Sequence, residues 1–219
     1  MMAAFDFGVK VDPALFQRAF NGEYEVDVSG YVRQAREIFR EHVGEFVGFT
    51  LIVFVVSALS SAFSSLGSIL FSAVSAPLYA GYSIVVFKLL SGQEIEFSDF
   101  FRGFNYFLPL FLAGLAIGLL VTVGLVLLIL PGIYLAVGYS FALFLVVDCR
   151  MDFWQAMETS RKIVAKRWFL ILWAGVVLAC VNLLGLLALG VGLLVSVPVS
   201  ACAAAVAYRE IVGLHSSEW

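Results

Sequence analysis

GFNYFLPLFLAGLAIGLLVTVGLVLLILPGIYLAVGYSFALFLVV, residues 103–147, holds no Lys, Arg, Asp or Glu across 45 positions. One helix crosses the hydrocarbon core in about 20 residues at 1.5 Å rise each. The run is twice that length, so it reads as two spans joined by a tight turn. Pro131 suits the first turn of the second helix. Two further charge-free windows, 46–87 and 168–208, are 42 and 41 residues long. Their turns fall at 60–67 and near 185–192. Barrel strands would alternate over about ten residues, and these windows do not alternate. The pattern predicts an all-α, polytopic membrane helical bundle of three hairpins, with spans at 46–63, 67–88, 106–128, 131–147, 168–186 and 190–208.

Composition agrees. The chain is 62% hydrophobic and 13% charged, with a mean hydropathy of +1.01, whereas soluble domains are about a quarter charged. A net charge of −3 points to no nucleic-acid partner. Cys149, Cys180 and Cys202 form no CxxC pair and read as small packing residues. The first thirty residues carry Asp6, Lys10, Asp12, Arg18, Glu23, Glu25 and Asp27 and no apolar signal core, so the first span is expected to act as its own insertion signal. All thirteen Lys and Arg lie outside the windows, on one face of a six-span chain. The positive-inside rule assigns that face, and both termini, to the cytoplasm.

Four polar-face elements are expected. Residues 12–22 suit a short helix capped by Asp12, with Pro13 at N1 and Asn21-Gly22 at the end. Residues 29–46 place Tyr31, Ala35, Ile38, Phe39, His42 and Phe46 on one side, as in a helix lying in the headgroup plane. Residues 152–168 repeat this pattern behind Asp152, and 94–105, capped at Ser98 or Asp99, give a shorter version. Arg150, Arg161, Lys162, Lys166 and Arg167 form the most basic stretch. They are either a contact for anionic lipid or determinants of topology alone. The expected divisions are a cytoplasmic N-terminal segment (1–28), a six-span membrane domain (29–213) and a tail (214–219). Units starting near Asp27, Ser98 and Asp152 suggest a threefold internal repeat.

Small residues recur every four positions in the even spans: Ser68, Ser72, Ala76 and Ala80; Gly132, Ala136 and Ser140; Gly192, Ser196, Ser200 and Ala204. Gly114 and Gly118 add a GxxxG in span three. Such stripes predict close packing, with spans two, four and six central. The other reading is that the stripes line a path. Asn182 is expected to bond between helices.

No carboxylate, lysine, arginine or histidine lies in the windows, which argues against an ion-coupled pump. No Walker A, HExxH, GxSxG or GxGxxG motif occurs. His42 and His215 show no ligand spacing with Cys149. Asp99, Asp148 and Asp152, near the membrane borders, read as helix caps. The sequence assigns no catalytic, cofactor-binding or metal-ligating residue and implies no cofactor.

The run Leu130-Pro131-Gly132-Ile133-Tyr134-Leu135-Ala136-Val137 is followed by Val147-Asp148, Ala156, Ser160, the 185–198 region and Ala207-Tyr208-Arg209. Together they resemble a broad family of uncharacterised bacterial integral membrane proteins, similar to the membrane domain of some glycerophosphodiester phosphodiesterases. The resemblance covers most of 28–213. It implies a helical bundle in a bacterial inner membrane. It does not imply the phosphodiesterase reaction, which belongs to an attached soluble domain. The expected function is that of a non-enzymatic scaffold or accessory subunit, touching membrane lipids and docking a protein partner or a second copy through Phe5, Phe7, Phe16 and Phe20. The alternative is a passive channel or carrier for lipid or a small apolar solute.

Overall fold

The computed structural model describes the backbone of residues 11–62, 64–188 and 190–216, and their side chains except at 61–70 and 72. A 3₁₀ turn, Pro13–Phe16, leads into α1 (Gln17–Asn21), α2 (Val28–Glu41), α3 (Val43–Ala62) and α4 (Ser64–Leu90). A 3₁₀ helix, Phe97–Tyr106, precedes α5 (Phe107–Leu127), α6 (Ile129–Gly138) and α7 (Ala142–Cys149). The chain ends with α8 (Phe153–Ala165), α9 (Trp168–Leu187) and α10 (Leu193–Ile211). No strand occurs among the described residues. Among the described residues six stretches are long and apolar enough to cross a membrane: Val43–Ser60, Ala73–Leu90, Phe97–Leu127, Ile129–Cys149, Trp168–Leu187 and Leu193–Ile211. The chain is an all-α, multi-pass integral membrane protein.

Caps set several ends. The Asp12 carboxylate accepts from the Ala14 amide at 2.9 Å, and Gly22, at φ +73°, closes α1 in a conformation that glycine adopts without strain. Asp27 accepts from the Gly30 amide at 3.0 Å. Asp152 accepts from Trp154 and Gln155 at 2.6 and 3.1 Å. Two expectations fail. The helix expected over 29–46 breaks at His42 (φ −129°, ψ 36°), which separates α2 from α3. The helix expected over 94–105 is capped by Glu96, not by Ser98 or Asp99. Asp99 sits at its N3 position in a capping box.

The core lies towards the charged side. The second half of α4 and most of α10 pack together, burying Tyr82, Ile84, Phe87, Cys202, Val206 and Tyr208. The apolar face of α2, with Tyr31, Ala35 and Phe39, is buried as well. Because α2 packs along α10, that face covers protein rather than headgroups. The 3₁₀ helix lies against α4 at a glycine pair: a Cβ on Gly81 would collide with the Phe100 carbonyl, and one on Gly103 with the Pro77 carbonyl. This approach sets Phe100 between Phe49 (4.6 Å, stacked) and Phe46 (5.3 Å, edge-on). Asp99, fully buried, meets Lys88 Nζ at 2.6 Å and Arg102 Nε at 2.7 Å.

Span four is not one helix. It breaks between α6 and α7 at residues 139–141. Ser160 of α8 bridges the gap: its hydroxyl donates to the Gly138 carbonyl at 2.7 Å and accepts from the Phe141 amide at 3.1 Å. Irregular backbone at membrane depth requires such partners. Only α7 is buried, so spans two and six are central and span four only in its second half. On the opposite side the hairpins close through glycines. A Cβ on Gly124 would lie 2.9 Å from Gly132 Cα, and one on Gly192 would lie 2.8 Å from Gly185 Cα. Around them, Val126 and Leu130 are each 80% exposed, a surface suited to hydrocarbon.

Candidate functional site

α6 leans on α5 through Gly124 and Gly132, and α9 on α10 through Gly185 and Gly192. α6 and α9 themselves meet at Tyr134 and Trp168, whose rings stack at 5.9 Å, and the Trp168 indole Nε1 donates to the Tyr134 carbonyl at 3.3 Å. Beside that contact an apolar groove of about 390 Å³ lies between them, walled by Gly132, Ala136 and Val137 on α6, by Ser140 just past its end, and by Ile171, Gly175 and Ala179 on α9. From Gly132 to Val137 it extends about 8 Å along α6. Ser140, Ile171 and Gly175 also line a neighbouring cavity of about 110 Å³ beside Tyr31, Phe141, Phe144 and Ala203. Neither space is lined by a charged side chain. A Cβ on Gly175 would meet nothing within 4 Å.

Tyr31 also lines a polar cleft of about 840 Å³. The groove and the cleft, 390 and 840 Å³, lie in the range of ordinary ligand sites, roughly 300–1,000 Å³. The cleft presents Arg18, Arg33 and Arg167, together with carboxylates from the loop before α2, from α2 itself and from the end of α10. Tyr31 donates its hydroxyl to the Glu25 carbonyl at 3.0 Å, and Tyr24 donates to the Ile163 carbonyl at 2.9 Å. Burial pushes the Tyr24 phenol up to about 12 and raises that of Tyr31, so both remain neutral donors. The Gly30 amide and the Ser29 hydroxyl hold the Asp27 carboxyl below its ordinary value.

The five cations singled out in the sequence do not form one patch. Arg167 lines the cleft, its guanidinium 3.4 Å from the Gly22 carbonyl. Lys166 packs its stem against Gly22. Arg161 and Lys162 both pair with Glu158, at 3.0 and 3.4 Å. Burial would raise the Glu158 carboxyl, but these two cations hold it below its ordinary value. Arg150 ends α7 at φ +52°.

The stripe residues divide. Ser196 is buried, and a Cβ on Gly185 would collide with its hydroxyl. Asn182 donates to Ser200 Oγ at 2.9 Å, joining α9 to α10 as its type suggested. Ala76 faces Gly114, where a Cβ would lie 3.4 Å away. Gly118 is exposed, with open space where a Cβ would go. Ser140 is exposed and lines the groove. The side chain of Ser72, and all of Phe5 and Phe7, lie outside the described residues.

Asp148 is a centre that the sequence reading missed. Rather than capping a helix, its buried carboxylate accepts from Tyr208 Oη at 2.9 Å, the His215 amide at 3.1 Å and the Ser216 amide at 3.0 Å. Asp148, Cys149 and His215 place donor atoms within 4.8 Å of one another, a spacing a metal ion accepts. Both carboxylate oxygens already accept hydrogen bonds, however, so the arrangement first of all pins the tail. Phe16, expected to face a partner, is buried, its ring 5.2 Å from that of His215. Asp148 and the tail are 67 residues apart, a distance over which no local spacing gives a signal. Comparison with family models, with curated proteins and with solved structures finds no match to this chain.

Proposed function

We propose that this is a lipid-binding membrane protein that draws one acyl chain of a lipid into the lateral groove between α6 and α9, as a carrier rather than a channel. The placing of uncharged apolar spaces next to a polar cleft, with Tyr31 lining both sides, carries this reading. Ala136 and Ser140, both exposed, line the groove, which favours the path reading for that part of the stripe, while Gly132 packs against Gly124. Tyr82, Phe87 and Tyr208 fill the space between α4 and α10, which disfavours a central pore. The charged side faces the cytoplasm by the positive-inside rule. The likeness of residues 130–137 to bacterial membrane domains supports an inner-membrane location. The scaffold reading keeps one specific support, Trp154, 64% exposed on α8.

The test fills the groove. Gly175→Leu adds a side chain where nothing obstructs it, and leucine is a better helix former than glycine by about 1 kcal/mol. Native mass spectrometry of protein released from lipid nanodiscs should show wild type retaining one lipid per chain and Gly175→Leu retaining at least about fivefold less. Equal retention by both proteins contradicts the proposal.

A further inference from the structure

The polar cleft carries more information than its arginines. Facing Arg18, Arg33 and Arg167 are five carboxylates, Glu23, Glu25, Asp27, Glu37 and Glu210, so the lining is net negative by two charges. An anionic headgroup meets guanidinium groups there, but it also meets a surplus of like charge. A headgroup with both signs meets a partner for each.

The partners differ in how they are engaged. Arg18 Nε already donates to the Glu23 carbonyl at 3.0 Å, and Asn21 donates to Glu23 Oε1 at 3.1 Å. Asp27 is engaged as the cap of α2, and Glu210 pairs with Arg209. Arg167 reaches the Gly22 carbonyl only at 3.4 Å, leaving it free to turn towards a phosphate. Glu25 and Glu37 are exposed carboxylates on the cleft wall.

We infer that the cleft takes the headgroup of an ethanolamine-class glycerophospholipid, its phosphate on Arg33 and Arg167 and its ammonium on Glu25 and Glu37. The inference rests on the groove holding that lipid's chain. A primary ammonium donates hydrogen bonds to carboxylates, and charge-assisted bonds of this kind are the strong ones. A quaternary choline has no N–H to donate and is held instead by aromatic cages. Among the described residues the aromatic rings lining the cleft are Tyr24 and Tyr31, and both direct their hydroxyls into backbone carbonyls.

The experiment uses the full chain in nanodiscs of equal parts phosphatidylethanolamine, phosphatidylcholine and phosphatidylglycerol, with retained lipid identified by native mass spectrometry. Phosphatidylethanolamine should exceed each of the others at least about fivefold. In the double variant Glu25→Gln/Glu37→Gln that preference, read as the ratio among the lipids retained, should fall to below about twofold. Retention of lipid without preference, or a preference for phosphatidylglycerol, overturns the headgroup assignment while the chain site stands. Unchanged preference in the double variant overturns the ammonium contacts. No retained lipid in wild type overturns the chain site, and the headgroup assignment falls with it.

Discussion

At the scale of the residue, Ser160 and Asp27 show how single polar groups hold this fold. Ser160 satisfies both a carbonyl and an amide freed by the break in span four. Leaving buried groups of this kind unpaired costs about 1–3 kcal/mol each. Ser160→Ala should therefore lower stability in detergent by at least that amount, measured by chemical denaturation against wild type. Wild-type stability in the variant would show that the break needs no bridge. The Asp27 carboxyl lies below its ordinary value because it accepts from the Gly30 amide and the Ser29 hydroxyl. Its stabilisation of α2 is then present above the unfolded carboxylate value and lost as pH falls through the lowered one. The advantage of wild type over Asp27→Ala should be full at neutral pH and vanish in strong acid. An advantage independent of pH would contradict the assignment. Asp12 and Asp152 were legible as caps because capping is local and depends on residue type at one position. Asn182 was legible because a lone amide in a charge-free helix has few partners besides a neighbouring helix.

At the scale of the element, long-range contacts decided what the sequence did not show. The segment 97–106 carries an amphipathic pattern that fits either helix type. It becomes a 3₁₀ helix against α4 through Gly81 and Gly103, residues in separate elements with no shared sequence signal. Gly103→Ala should loosen this contact and lower thermal stability more than Gly118→Ala, whose Cβ meets open space. Equal effects from a thermal melt would contradict the close approach. The stripe on α6 was visible as a stripe, but its direction was not. Gly132 meets α5 at Gly124, while Ala136 and Ser140 face the groove because α9 is held against α10 at Gly185, Gly192 and Ser196. The tail was likewise separated from Asp148 in the sequence reading. Asp148→Ala should free residues 212–216 for proteolysis while the spans stay folded. A tail as protected as in wild type would remove the pin.

At the scale of the whole molecule, the six spans followed from charge alone, because an ion at the centre of a helix in hydrocarbon costs about 2.5–3.5 kcal/mol on insertion scales. The two faces of the bundle follow from the same constraint. The charged side holds the core, the tail pin and the polar cleft, while on the other side the described residues show tight closures at Gly124–Gly132 and Gly185–Gly192 with bare aliphatic surface around them. Reporter fusions active only outside the cytoplasm should light up at the 128 and 189 hairpins and stay dark at Arg161 and at the C-terminus. Activity at Arg161 would invert the topology. Between the two faces lies the groove beside α6 and α9. It can be read by a phospholipid bearing a photoreactive group on its acyl chain, reconstituted with the full protein and mapped by peptide mass spectrometry. Label should fall on residues 132–140 and 171–179 in wild type and leave them in Gly175→Leu, while the outer residues Leu119 and Val126 label equally in both. Label confined to those outer residues in both proteins would contradict an acyl chain lying between α6 and α9.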